Sequence, residues 1–362
     1  MQGPLQRHKG LFPLAGKLEQ FREDCIRIAL IVEEVGPRCE RGRLLSGKQV
    51  CHESVTAAQP TGRLQGVTLP LAMRVAIVTH RTSATNLGLA AHGWNRIAAE
   101  LVSPREALLT LGRGDVALGR LDVRDELDGV EEGLWALERL AEAGVRLLNP
   151  ADALLAAHDK LLTARILRRA ALPHPRTVLL HRHQEAPDVD FPVVLKPRFG
   201  SWGRDVLLCH DRAELGKALE SLAFRPWFRR TGVLAQELIR PLGYDLRMIV
   251  ANGRVVGAAK RIAPPGEWRT NVALGASCVG SCPPPVAFSL ALAAAEVSGL
   301  DLLGVDLLPT GPGGFSVIEL NGAVDFRPVY AFPGRNVFED AVAALAGTRP
   351  EVVAETAAAV PT

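Results

Sequence analysis

Val305-Asp306-Leu307 and Val317-Ile318-Glu319-Leu320-Asn321 are apolar runs that read as buried strands, yet each carries acidic groups in its middle. Burying an unpaired carboxylate costs several kcal/mol, so such a group is normally paired or coordinates a metal. Residues two apart on a strand point to the same side, which puts Glu319 and Asn321 on one face. Asp306, from a neighbouring strand, would complete a set of hard oxygen ligands suited to Mg²⁺. Ligands of this kind hold the metal of a phosphate-bearing substrate, and ATP is the expected one.

The surrounding chain has 362 residues, enough for two or three domains with a sizeable core. Its 48% hydrophobic and 22% charged content is ordinary for a soluble globular protein. A formal net charge of +3 points to neither nucleic acid nor a membrane surface as a partner. The longest apolar stretch, residues 286–303, is broken by Glu296, Gly299 and Asp301, so no spanning helix is expected. The first residues lack the apolar core of a signal peptide. The six cysteines are irregularly spaced, unlike a secreted disulfide framework, and Cys278-x-x-x-Cys282 lacks the second pair a zinc site would need. A cytoplasmic setting is the expectation.

Residues 1–72 mix Gly, Pro and scattered basic residues and read as a disordered N-terminal extension, with a docking arm as the competing reading. Folding is expected to begin near Met73, where Met73-Arg74-Val75-Ala76-Ile77-Val78 resembles the first strand of an α/β domain. Over 73–157 strands at 75–78, 116–118 and 145–148 alternate with helices at 94–101 and 129–143. That pattern argues for a mostly parallel sheet with covered faces. The region 158–348 opens with a helix at 159–171. Strands follow at 191–196, 233–239, 245–250 and 255–259, the last two joined by Asn252-Gly253, a strong hairpin signal. Residues 349–362 read as a tail.

Between the strands lie groups suited to phosphate. Val193-Val194-Leu195-Lys196-Pro197 ends an apolar strand on a lysine, and Gly200-Ser201-Trp202-Gly203 follows as a turn. Glycines let backbone N–H groups approach phosphate oxygens, and the lysine adds a mobile charge. The plain alternative is a lysine snorkelling from a strand end. No Gly-x-x-x-x-Gly-Lys-Ser/Thr sequence exists, so this is not a P-loop. Lys160 opens a helix; Gln236-Glu237-Leu238 ends a strand; Asp245 and Arg247 share a strand face. Arg261, Arg269 and Asn271 could balance the carboxylate set and stabilise a transferring phosphoryl group. Outside the Lys196 loop, each of these groups taken alone reads better as part of a solvated loop.

Their order is what decides. The blocks HDKLLTARILRRAALPHPRT, FPVVLKPRFGSWGRDV, AQELIRPLGYDLRMIV, EWRTNVALGA and GVDLL…VIELNGAVDF together resemble the ATP-grasp superfamily. More narrowly they resemble its RimK/LysX-like carboxylate–amine ligases, over roughly residues 73–346. The resemblance implies a pre-ATP-grasp α/β domain followed by two α+β subdomains that clamp ATP. It implies that Lys160 and Lys196 hold the ATP phosphates under a loop containing Ser201 and Gly203. Gln236, Glu237 and Leu238 would meet adenine and Asp245 the ribose. Arg269 and Asn271, with Arg261, would face the γ-phosphate and the acyl phosphate. Asp306, Glu319 and Asn321 would ligate Mg²⁺, as two ions, with Mn²⁺ as a substitute.

The implied reaction turns a carboxylate into an acyl phosphate, which an amine then attacks to give an amide, ADP and phosphate. The amine is expected to be an amino acid, glutamate foremost, and the acid a small molecule, peptide or carrier protein. The resemblance also implies a homodimer or homotetramer. After Asn321 the chain reads Gly322-Ala323-Val324-Asp325-Phe326, which departs from the Ala-Ser-Pro-Gly of RimK-like enzymes and leaves the substrates open. The competing functions are a phosphotransferase without ligation and a non-catalytic nucleotide-binding module.

Overall fold

The computed structural model describes residues 73–181 and 189–347, so the expected extension over 1–72 and the tail over 349–362 lie outside the described residues. The first part runs β1 (Val75–Val78), α1 (Ala84–Ala91), β2 (Ala99–Val102), α2 (Pro104–Thr110), β3 (Val116–Gly119), α3 (Leu134–Glu142) and β4 (Arg146–Leu148). Its strands are parallel in the order β2-β1-β3-β4. β1 and β3 are buried along their whole length, as continuous apolar strings in a covered parallel sheet must be.

The helix expected over 94–101 is absent. Asn95 and Arg96 take φ of 52° and 69°, which closes a turn bridged from Trp94 to Ile97 and stops any helix there. Ala99–Val102 instead pairs with β1. The helix of this region lies earlier, as α1, where Ser83 caps the first turn by accepting from the Asn86 N–H.

Two helices follow, α4 (Ala151–His158) and α5 (Lys160–Arg169). Asp159 separates them and caps α5 by accepting from the Leu161 and Leu162 N–H groups. β5 (Thr177–Leu180), β6 (Val193–Pro197), β7 (Leu207–Cys209), α6 (Arg212–Leu222), α7 (Pro226–Thr231) and β8 (Val233–Glu237) come next. Their strands make an antiparallel sheet in the order β5-β8-β6-β7.

The third sheet is antiparallel, ordered β11-β10-β9-β12-β13. It comprises β9 (Tyr244–Ala251), β10 (Arg254–Ile262), β11 (Ser277–Gly280), β12 (Leu302–Gly311) and β13 (Gly314–Asn321), with α8 (Pro285–Ser298) before β12 and α9 (Val337–Ala346) after β13. The expected hairpin at Asn252-Gly253 joins β9 to β10. One face of this sheet packs Met248, Val250, Leu303, Val305 and Leu320 into a core shared with α4 and α8. The other packs Ile249, Ala251 and Leu302 with Phe326 and α9, in a core that reaches Val75 and Ile77 of β1.

Two segments tie the first sheet to the rest. The loop 122–131 is closed by a bridge from Val123 to Val130, and it buries Val123 and Leu127 among Leu180, Val193, Leu195, Trp227 and Phe228 of the second sheet and its helices. Asp128 pairs with Arg230, and Arg204 donates to the Asp125 carbonyl at 3.2 Å. The turn after β13 is held from the other side. Arg120 Nη2 donates to the Val324 carbonyl at 2.7 Å, Asn149 Nδ2 donates to the Gly322 carbonyl at 3.1 Å, and Thr85 exchanges hydrogen bonds with the Phe326 backbone. No described helix is long and apolar enough to cross a membrane.

Candidate active site

The second and third sheets face each other across an open cleft of about 920 Å³ of space, part of it solvent. Lys160, Lys196, Ser201, Gly203, the 236–238 segment, Asp245, Arg261, Arg269, Asn271, Asp306 and Glu319 all line this cleft. The register of the third sheet explains the placement. Asp306 stands opposite Glu319, and Gly304 opposite Asn321, after which the pairing slips so that Leu307 faces Val317. The extra residue bulges the strand, and both Ile318 and Glu319 reach the cleft.

Lys160 and Lys196 come from different elements and are buried at 8% and 7% exposure. Lys160 Nζ donates to Glu319 Oε1 at 2.8 Å and to the Gly200 carbonyl at 2.5 Å. Among the described residues Lys196 Nζ donates to a neutral partner, Gln236 Oε1 at 2.7 Å, and Gln236 Nε2 in turn donates to Thr177 Oγ1 at 2.7 Å. Burial, and after it the charge of Lys160, lowers the Lys196 ammonium to about 7, with Glu319 pulling the other way. A phosphate placed beside Lys196 would restore its charge. At pH 8, nucleotide binding is therefore expected to take up nearly one proton, roughly, falling toward none by pH 6. Calorimetry in buffers of different ionisation enthalpy measures this uptake. Lys196→Met should remove it, and absence of uptake in the unaltered protein would refute a near-neutral Lys196.

The floor of the cleft is a buried ion network. Arg261 Nε donates to Asp245 Oδ1 at 2.7 Å, and its Nη2 bonds Asp245 Oδ2 and, at 2.8 Å, Asp306 Oδ2. Arg247 makes a two-pronged contact with Asp306, 2.7 Å on each arm. Thr270 Oγ1 donates to Asp245 Oδ2 at 2.6 Å. Burial acts first on Asp306 and would raise it, but Arg247 and Arg261 overcome that and hold its carboxyl well below the usual range. Burial lifts the Asp245 carboxyl, with Arg261 pulling against it. Asp245 thus reaches the cleft wall with both oxygens engaged in holding Arg261.

The loop 200–206 covers one side. Gly203 has φ of 71°, and a Cβ there would stand 2.8 Å from Asn271 Oδ1, so only glycine lets the loop lie against Asn271. Arg269 stacks over Trp268 and is clamped by Glu267, with bonds of 3.0 and 2.8 Å. Those hydrogen bonds hold the Glu267 carboxyl down at about 2.

Asn321 stands at the end of β13, opposite Gly304, and its buried Nδ2 has no hydrogen-bond partner among the described residues. Two carboxylates in register and the Asn321 amide are donors of the hard type that Mg²⁺ takes, so the residues fit the ion. Among the described residues no group of three His, Cys, Asp or Glu side chains is arranged to hold a metal ion. Thr177 and Thr270 were not picked out as site residues, and Arg247, named only as sharing a strand face with Asp245, was given no role.

The two sheets thus bring lysines, arginines and carboxylates together along one cleft. A structure of a RimK domain ATP-grasp protein from Sphaerobacter thermophilus has the same fold, with TM-score 0.55 at 23% identity, covering 76% of this chain and 98% of that one. A RimK-like ATP-grasp domain model matches residues 157–343. The chain belongs to the RimK-like ATP-grasp family. It is 33% identical over 211 residues to a probable alpha-L-glutamate ligase of Aeromonas salmonicida, covering 57% of this chain and 69% of that protein. It is 27% identical over 253 residues to the glutamate–LysW ligase ArgX of Sulfurisphaera tokodaii, covering 68% and 89%. The protein is an ATP-grasp carbon–nitrogen ligase, a class of enzyme that works with ATP and Mg²⁺.

Proposed function

We propose that this cleft phosphorylates a carboxylate with ATP and passes the acyl group to the amine of an amino acid, glutamate being the favoured one. The observation that carries the reading is the meeting of Lys160, Lys196, Arg261, Arg269 and the Asp306–Glu319 pair in one cleft. Lys160 and Lys196 would bind the phosphates beneath Ser201 and Gly203. Gln236, Glu237 and Leu238 would receive the adenine, and Asp245 would reach the ribose while anchoring Arg261. Asp306, Glu319 and Asn321 would hold Mg²⁺, as two ions, replaceable by Mn²⁺. The metal, when bound, would neutralise phosphate charge and polarise the bond to the γ-phosphoryl group.

The chain's own cations act on the same charge. Arg261 and Arg269 offset the repulsion between a carboxylate and a triphosphate as they approach. A carboxylate oxygen takes the γ-phosphoryl group and ADP departs. The amine then bonds to the acyl carbon, phosphate departs with the electrons of the C–O bond, and the amine gives up its proton. The loop 200–206 shields the acyl phosphate from water. The names of the two relatives favour glutamate and allow an acidic carrier protein as the acid. A homodimer or homotetramer would fit the same family.

Product analysis tests the reading. Protein, ATP and Mg²⁺ are mixed with glutamate and a panel of acids and peptides, and nucleotides and adducts are followed by mass spectrometry. ADP with an amide product, formed only when acid and amine are both present, is expected. AMP would mean adenylation instead, and a phosphorylated acid with no amide would mean phosphotransfer without ligation.

A further inference from the structure

Thr177, Gln236 and Lys196 come from three adjacent strands of the second sheet and share one of its faces. Thr177 on β5 stands directly opposite Gln236 on β8. Lys196 on β6 stands opposite Leu234, two residues from Gln236, so the lysine and the glutamine are diagonal neighbours. Gln236 and Lys196 are buried and line the cleft. Among the described residues, Thr177 is linked to Lys196 through Gln236.

The bonding along this row has one consistent direction. An ammonium has donors and no acceptor, so the end of the Gln236 amide that meets Lys196 Nζ at 2.7 Å is its oxygen. The NH₂ end is thereby turned to Thr177 Oγ1, which accepts at 2.7 Å. Thr177 gives its own proton to the Pro175 carbonyl at 2.9 Å, which keeps its lone pairs for Gln236. His174 Nε2 lies 3.3 Å from Thr177 Oγ1 and 3.4 Å from Gln236 Nε2, longer contacts that add little. The segment before β5 is itself anchored, since the Val317 N–H on β13 donates to the Pro173 carbonyl at 2.9 Å. The two lysines of the cleft are therefore held differently. Lys160 meets the Glu319 carboxylate, which offsets its charge, whereas Gln236 holds Lys196 with a neutral oxygen.

We propose that Thr177 is a positioning residue for nucleotide phosphate, fixing the Gln236 amide so that its oxygen holds the Lys196 ammonium in the cleft with its charge uncancelled. The two ends of a glutamine amide are nearly equal in size, and an acceptor behind the NH₂ end selects which one faces the lysine. Without that acceptor a buried donor is left unpaired, and turning the amide over would set NH₂ against ammonium. The Gln236 side chain is thus given to the lysine, and the backbone of 236–238 is left for adenine. The inference rests on the assignment of Lys196 to the phosphates.

The test is equilibrium binding of a non-hydrolysable ATP analogue with Mg²⁺, and separately of adenosine, to the full chain. Thr177→Val keeps the outline of the side chain and removes the acceptor. Analogue affinity should fall by about 10-fold, while adenosine affinity stays within about twofold. Thr177→Ser returns a hydroxyl and should recover most of the loss. In a Lys196→Met background, Thr177→Val should have no further effect. Unchanged analogue affinity in a folded Thr177→Val protein, or an equal loss for adenosine, would overturn the inference, provided Lys196→Met weakens analogue binding. If Lys196→Met leaves analogue binding intact, the assignment of Lys196 to phosphate itself fails. Should the valine variant not fold, Thr177→Ser against Thr177→Ala decides, since equal analogue affinity in both would refute a role for the hydroxyl.

Discussion

Glu319→Ala lowers ligase turnover by at least about 10³-fold, read as amide and ADP formed per enzyme, with the fold retained. Two losses combine in this change. One carboxylate disappears from the pair it forms with Asp306 across the β12–β13 ladder. Lys160 also loses its carboxylate partner and, among the described residues, keeps the Gly200 carbonyl. Glu319 is about a quarter exposed, so solvent compensates Lys160 in part and the melting temperature should move by only a few degrees. Turnover at near-normal rates with Mg²⁺ would show that the carboxylates of the third sheet do not serve the chemistry.

Arg261→Met should act in the opposite way, on stability as much as on rate. Arg261 is the bridge between Asp245 and Asp306, and all three are 4% exposed or less. Removing one partner of a buried ion group costs about 3–5 kcal/mol, which for a chain of this size lowers the melting midpoint by roughly 10 °C. Asp306 keeps Arg247, whereas Asp245 keeps only Thr270. The deficit therefore resides mainly in Asp245, whose carboxyl burial already lifts above its ordinary value. A carboxyl with a raised folded-state value is penalised when ionised, so stability falls as pH rises through that value and recovers below it. The gap between variant and unaltered protein should narrow on acidification, as scanning calorimetry from neutral pH to about pH 4 would record. A constant gap would assign the loss to packing instead.

The reaction strands were legible because an acid inside an apolar run has few explanations, and Asp306 and Glu319 came out as register partners. The β9–β10 hairpin was equally plain, since Asn252-Gly253 supplies the two positive φ angles its turn needs. Other features depend on neighbours that are remote in sequence. The contact of Arg247 with Asp306 requires β9 to lie beside β12, an order no local pattern states. α4 escaped notice because Ala151–His158 is mostly small and apolar and follows Asn149-Pro150, which reads as a break. Residues 94–101 misled in the other direction: their apolar spacing suits a helix, but the turn at Asn95 and Arg96 interrupts it. Strand alternation put Asn321 two residues from Glu319 on β13, and the register sets it opposite Gly304 as Glu319 is opposite Asp306.

The loop 122–131 belongs by sequence to the first sheet and by packing to the second. It makes the protein resistant to being assembled from interchangeable parts. A chimera that took residues 73–148 from a relative would bring a foreign Val123 and Leu127 into a cavity shaped by Leu195, Trp227 and Phe228. It would also present a new partner to Arg230. Exchange of the first sheet between enzymes of this kind, by recombination or by design, therefore has to carry that loop's seat along with it.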